Sequence, residues 1–385
     1  MKRAKIAALP GQVVSWVGIV FLLGLVWRLT ALTFSGPDSL AQNANYSLRF
    51  YGNGITAPGA DRVKIPLDAP PRPIDVGVGD FTIEFWMRAL PGDNQSGSCR
   101  PEGDRWINGN TIIDRDTFGN GDYGDYGISL YGGRIALGVS QGADANTICG
   151  AADVADGAWH HIAATRISDN GQLGLFVDGQ LDAQGQGPSG DISYRDGRGS
   201  EYPASDPFLV IGAEKHDFGI AFPSFSGWID ELRISNSRRY MSDFAPPTNP
   251  FTPDAATLAL YHFDEGNGII VTDAAEAPGG PSNGFLQIGG DPAGPVWSVD
   301  TPWNDSTPIP ARTPTPFVTA TTTPTAIATA TATPTPLPIL TATPTREVVT
   351  IPTPTTGPTA TLTPPAKPSS RIYVPIVLAL PENGL

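Results

Sequence analysis

Between residues 42 and about 305 the chain alternates short apolar runs with clusters of Gly, Asp, Asn and Pro, and no long stretch keeps a helical period. The runs 46–51, 62–65, 81–89, 111–114, 126–131, 134–139, 159–167, 172–178, 208–212, 228–235 and 258–263 are rich in β-branched and aromatic residues and read as strands. Eleven such strands predict an all-β fold, a two-sheet antiparallel β-sandwich. Within 81–88, Phe81, Ile83, Phe85 and Met87 share one face, and Thr82, Glu84 and Arg88 share the other with Trp86. One face is therefore expected in the core and the other largely in water. Gly132-Gly133 and Asp178-Gly179 stand where hairpin turns need positive φ, which predicts antiparallel neighbours at both places.

The flanks break this pattern. Lys2, Arg3 and Lys5 precede residues 13–27, in which Ser15 is the only clearly polar side chain before Arg28. About 15 apolar residues make a helix of roughly 22 Å, short of the roughly 30 Å hydrocarbon core. Residues 1–41 are thus expected to be a signal peptide, with Ser39-Leu40-Ala41 as the cleavage site before Gln42. The alternative is an uncleaved signal anchor in which residues 13–34 stay in the membrane. Either way the bulk of the chain, a sandwich over 42–305, is expected outside the cytoplasm, secreted or at the cell surface. Residues 306–370 are mostly Thr and Pro, too poor in apolar area to offset the entropy of folding, and predict a disordered stalk. At about 3.1 Å per residue it would reach on the order of 190 Å. Residues 371–385 form a short apolar tail that cannot span a bilayer. In it, Leu380-Pro381-Glu382-Asn383-Gly384 places Asn383 where a surface-sorting motif has Thr.

Charge narrows the partners. A net charge of −14 with no basic patch repels phosphate backbones and excludes nucleic acid. Membrane contact is expected only through the N-terminal segment, if it is not cleaved. With 8 Trp, 16 Phe and 10 Tyr the chain has the bulk for a sizeable core.

The order Asp80-Phe81-Thr82-Ile83-Glu84-Phe85-Trp86, Trp159-His160-His161-Ile162-Ala163, Leu175-Phe176-Val177-Asp178-Gly179 and Gly227-Trp228-Ile229-Asp230-Glu231-Leu232-Arg233-Ile234 resembles the laminin-G-like jelly roll of the concanavalin A-like lectin/glucanase superfamily. The resemblance covers about residues 46–240 and implies two packed antiparallel sheets. Residues 258–268, Asp273 and Trp297 resemble a segment attached to such domains and are expected to add a strand pair to the same sandwich.

The resemblance also implies a structural calcium between the first loop, where Asn53 and Asp61 offer oxygens, and Asp230. Here Phe50-Tyr51-Gly52 replaces the usual Phe-Asp-Gly, and the alternative is that Asp230 merely accepts backbone hydrogen bonds. His160 and His161 are adjacent on a strand and point to opposite faces, so one ion cannot take both. No Glu-any-Asp-any-any-Glu run and no Gly-any-Ser-any-Gly elbow is present, which argues against hydrolysis. Tyr123 and Tyr126, at the end of the acidic segment 114–125, are expected to be exposed for stacking on sugar rings, against the plainer reading of a solvated loop. Cys99 and Cys149, the only cysteines, are expected to pair in an oxidising compartment. The functional expectation is a non-catalytic extracellular module that binds glycan or protein. The alternatives are a polysaccharide-active hydrolase or lyase and a structural surface-layer component.

Overall fold

The computed structural model describes residues 45–68, 70–118, 124–194, 202 and 204–304. The expected signal segment, stalk and tail, and Tyr123, lie outside the described residues. Among the described residues there are sixteen strands: β1 (Ser47–Tyr51), β2 (Arg62–Pro66), β3 (Phe81–Arg88), β4 (Asn110–Arg115), β5 (Asp125–Tyr131), β6 (Arg134–Gln141), β7 (Asp144–Cys149), β8 (Trp159–Arg166), β9 (Gln172–Val177), β10 (Gln180–Gln186), β11 (Phe208–Ile211), β12 (Ser226–Ser235), β13 (Thr257–Tyr261), β14 (Ile270–Val271), β15 (Gly284–Gln287) and β16 (Val296–Ser298). All eleven predicted runs are strands. The five others, β7, β10, β14, β15 and β16, are polar or very short, and their neighbours rather than their own side chains hold them extended.

The strands form two antiparallel sheets of eight. One runs β10-β9-β8-β3-β12-β1-β16, with β13 pairing β12 beyond the end of β1, and the other runs β14-β15-β2-β11-β4-β5-β6-β7. The predicted hairpins are present: Gly132 and Gly133 have φ of 51° and 84°, Asp178 and Gly179 have φ of 50° and 76°, and each pair joins strands in antiparallel register. The C-terminal segment was expected as one strand pair, but it is shared between the sheets. β13 and β16 extend the first sheet, and β14 and β15 extend the second.

Phe81, Ile83, Phe85 and Met87 point into the space between the sheets, where they join Ile128, Leu137, Ile211 and Phe225. Each such buried side chain contributes roughly 1.5–3 kcal/mol. The other face of β3 is not wet as the alternation implied: Thr82, Glu84 and Trp86 are fully buried. The chain after β12 crosses this face and brings Tyr240, Phe244 and Phe251 edge-on around His161, at 6.5, 5.7 and 6.0 Å between ring centroids. Trp303 covers Trp86 at 5.4 Å. Outside the second sheet Trp106 is also buried, lying over the cross-strand pair Gly127 and Gly138.

Candidate functional site

The residues expected to hold calcium do not converge. Asp61 Oδ2 accepts the backbone N–H groups of Tyr51 and Asn53 at 2.8 and 3.0 Å, and Asn53 Nδ2 donates to the carbonyls of Gly289 and Pro292. These two side chains pin the 289–294 turn against the end of β1. Asp230 is elsewhere. Leu48 pairs with Ile229, and Tyr51, whose N–H Asp61 accepts, pairs with Ser226, so roughly 13 Å of strand separates Asp230 from the end of β1 that Asp61 holds. The neighbours of Asp230 are Glu231, whose N–H bonds its Oδ1 at 2.9 Å, and Asp264. The set Asn53, Asp61 and Asp230 does not fit a single calcium ion.

Tyr126 is not a surface aromatic. It begins the inward set of β5 with Ile128 and Leu130, is fully buried, and lies 5.2 Å from Phe81 with the Arg115 guanidinium 4.7 Å from its ring. The expectation of exposure overlooked that Tyr126 falls on the same parity as these core residues. Cys99 and Cys149 are bridged, with Cα atoms 5.9 Å apart.

The polar groups that do come together lie where β4 ends and β11 begins. β4 runs into Asp116, and Asp206 precedes β11. Gly212, at φ 93°, ends β11 where a Cβ would sit 2.4 Å from the Phe50 ring. Beyond it the chain doubles back, since the Lys215 N–H donates to Asp114 Oδ2 at 2.8 Å and Lys215 Nζ donates to the carbonyls of Asp206 and Phe208 at 3.1 and 3.0 Å. His216 is thereby placed among carboxylates. Its Nδ1 is 3.1 Å from Asp116 Oδ2 and 3.5 Å from Glu214 Oε1, and its Nε2 is 2.5 Å from Asp206 Oδ1.

Burial opposes protonation of His216, but hydrogen bonds to Asp116 and Asp206 prevail and raise its pKa to about 10. Burial pushes Glu214 well up, reinforced by the charge of Asp114. For Asp116 burial acts upward too, but the His216 hydrogen bond wins and its carboxyl falls below the usual range. Tyr202 stacks on the His216 ring at 4.7 Å, and Phe118 lies 5.7 Å from Tyr202. These two rings are 39% and 52% exposed, so the buried polar cluster carries an aromatic cap that faces solvent. Asp116, Glu214 and His216 place three ligand atoms within 4.8 Å of one another. Asp114 and Asp116 fall in the acidic segment noted in the sequence, but neither they nor Asp206, Glu214 and His216 were read as a site. The available signal was charge placed directly after apolar strands, in Asp114-Arg115-Asp116 and Glu214-Lys215-His216-Asp217.

Residues 59–243 match the family model Laminin_G_3, described as concanavalin A-like lectin/glucanases superfamily. Over this segment the chain is similar to the concanavalin A-like lectin/glucanase superfamily. The whole cluster lies within it, and the strands from β13 onward lie beyond the matched residues. Among solved structures the chain is similar to a candidate carbohydrate-binding protein from Bacteroides ovatus, at 16% identity and TM-score 0.37, over 67% of this chain and 62% of that one. It is similar to a SAP-like pentraxin from Limulus polyphemus at 12% identity and TM-score 0.33, over 51% and 78% of the two chains. It is also similar to domains LG4-5 of the mouse laminin alpha1 chain at 15% identity and TM-score 0.34, over 52% and 45%. The chain thus spans under two thirds of the Bacteroides protein and under half of the laminin fragment. No curated protein matches the sequence.

Proposed function

We propose that this lectin/glucanase-like domain is a non-catalytic binding module acting outside the cell, and that it takes a glycan at the aromatic cap over His216. The observation that carries the reading is the exposed pair Phe118 and Tyr202, set directly on a buried group of carboxylates and an imidazole. A sugar ring presents an apolar face to aromatic rings and hydroxyls to carboxylates, and binding sites combine such surfaces with a few fixed polar groups. The disulfide fits an oxidising compartment. No helix among the described residues is long and apolar enough to cross a membrane. Glu84, the carboxylate that a catalytic alternative would draw on, is sealed between Arg233, His161 and Tyr240 without solvent access.

A glycan array probed with the full secreted chain tests this, with Phe118→Ala/Tyr202→Ala as the paired variant. Expected is binding to a defined glycan set that weakens at least about tenfold in the variant, as loss of two stacking contacts implies, with an unchanged melting temperature. Undiminished glycan binding by the variant would place the ligand elsewhere. Failure to bind any glycan would leave the protein-ligand form of the module.

A further inference from the structure

We propose that Asp116, Glu214 and His216 form a binding site for a transition-type divalent cation of the zinc class, with Asp206 as the carboxylate that orients the imidazole. The inference goes beyond glycan binding and is read out independently of it.

The spacing suits a tetrahedral ion. Four-coordinate zinc with bonds near 2.0–2.1 Å separates its ligand atoms by about 3.3 Å. His216 Nδ1 lies 3.1 Å from Asp116 Oδ2 and 3.5 Å from Glu214 Oε1, which brackets that value. All three residues offer a ligand atom within 4.8 Å of one another.

The imidazole's other nitrogen is held by a carboxylate. Asp206 Oδ1 lies 2.5 Å from Nε2 and accepts from it, while Nδ1 faces two carboxylate oxygens at 3.1 and 3.5 Å. In the protonated ring a hydrogen fills the space between Nδ1 and those oxygens, and a divalent cation in its place would meet the same three donors. Metal-bound histidines are held in just this way, with the far nitrogen donating to a carboxylate. Asp206 is itself fully buried, and its Oδ2 has no hydrogen-bond partner among the described residues. A carboxylate placed there is stabilised when the ring it orients bears a cation.

The donor set then selects the ion. Calcium takes six to eight oxygens at 2.3–2.6 Å and has little use for a ring nitrogen, whereas imidazole with carboxylates suits zinc and its neighbours. Lys215 does not compete for the position, because its ammonium is turned to the carbonyls of Asp206 and Phe208. The Tyr202 ring stacked on His216 shields one side from water.

The test uses the untagged full chain, stripped with a chelator, in calorimetric titrations with zinc and with calcium and in metal analysis after gel filtration. One zinc per chain, at least about a hundredfold tighter than calcium, is expected, and cobalt(II) should give the visible absorption of a low-symmetry site. In His216→Asn, and separately in Asp116→Asn should the first variant fold poorly by circular dichroism, zinc stoichiometry should fall to zero with the fold retained. The chain has four histidines, and His160, His161 and His262 are packed against other partners, so the loss is specific to this cluster. The proposal is overturned by absence of zinc binding at millimolar metal, by undiminished zinc binding in folded His216→Asn, or by preference for calcium.

Discussion

Arg233 grips Glu84 from the neighbouring strand, with Nε at 2.9 Å and Nη2 at 2.8 Å from the same Oε1. The two are directly opposed in the β3–β12 register, Tyr240 Oη donates to the second oxygen at 2.7 Å, and Arg239 approaches to 3.6 Å. The cluster sits under aromatic rings, so it resembles a buried ion pair more than a surface one. Glu84→Ala would leave Arg233 buried without its counter-charge, and the expected cost is about 3–5 kcal/mol. Urea denaturation of the variant checks it. A midpoint equal to that of the parent would mean that solvent reaches the network after all.

The strand pattern was legible because inward residues of β3, β5 and β6 recur every second position, and a period of two is hard to mistake over six to eight residues. The same pattern misled for Glu84 and Trp86. Alternation marks which residues share a face, but not whether a later segment covers it, and here residues 240–251 and Trp303 do so. The polar cluster was illegible for a related reason. Asp116 and His216 are 100 positions apart, and what joins them is the β4–β11 pairing together with the turn at Gly212. A pairing between strands distant in sequence leaves no local trace.

Trp106 rests on two glycines that face each other across β5 and β6. A Cβ on Gly138 would lie 1.8 Å from the indole Cδ1, and one on Gly127 would lie 1.9 Å from Cζ3. Gly138→Ala must therefore displace the ring and is expected to cost about 1–3 kcal/mol. In a Trp106→Ala background, itself expected to lose about 3–5 kcal/mol, the glycine substitution should cost little. A double-mutant cycle by chemical denaturation measures this, and strict additivity would refute the contact.

The bridge between Cys99 and Cys149 ties the loop before β4 to the end of β7 and closes 50 residues. Restricting the unfolded chain over that span contributes about 4 kcal/mol in the chain-entropy treatment. Cys99→Ser/Cys149→Ser is expected to lower stability by roughly this amount, and reductant should destabilise the parent while leaving the variant unaffected. Equal midpoints for reduced and oxidised parent would count against a stabilising role.

Asp230 supplies a pH dependence of definite sign. Burial, and then the charges of Glu231 and Asp264, hold its folded-state carboxyl well above the ordinary value of 3.8. The native state therefore keeps a proton that the unfolded chain has already released, so this group's contribution is intact below pH 3.8 and is lost as pH rises from there through the folded value. Asp230→Asn carries no charge at any pH, and its side-chain oxygen can still accept the Glu231 N–H. The variant should gain on the parent as pH rises from 4 to 7, by about 1.4 kcal/mol for each unit of the shift traversed. Melting temperatures of both proteins across that range decide it. A constant offset between the two curves would show that Asp230 is charged and compensated in the fold, and would point to a partner for Oδ2, which has none among the described residues.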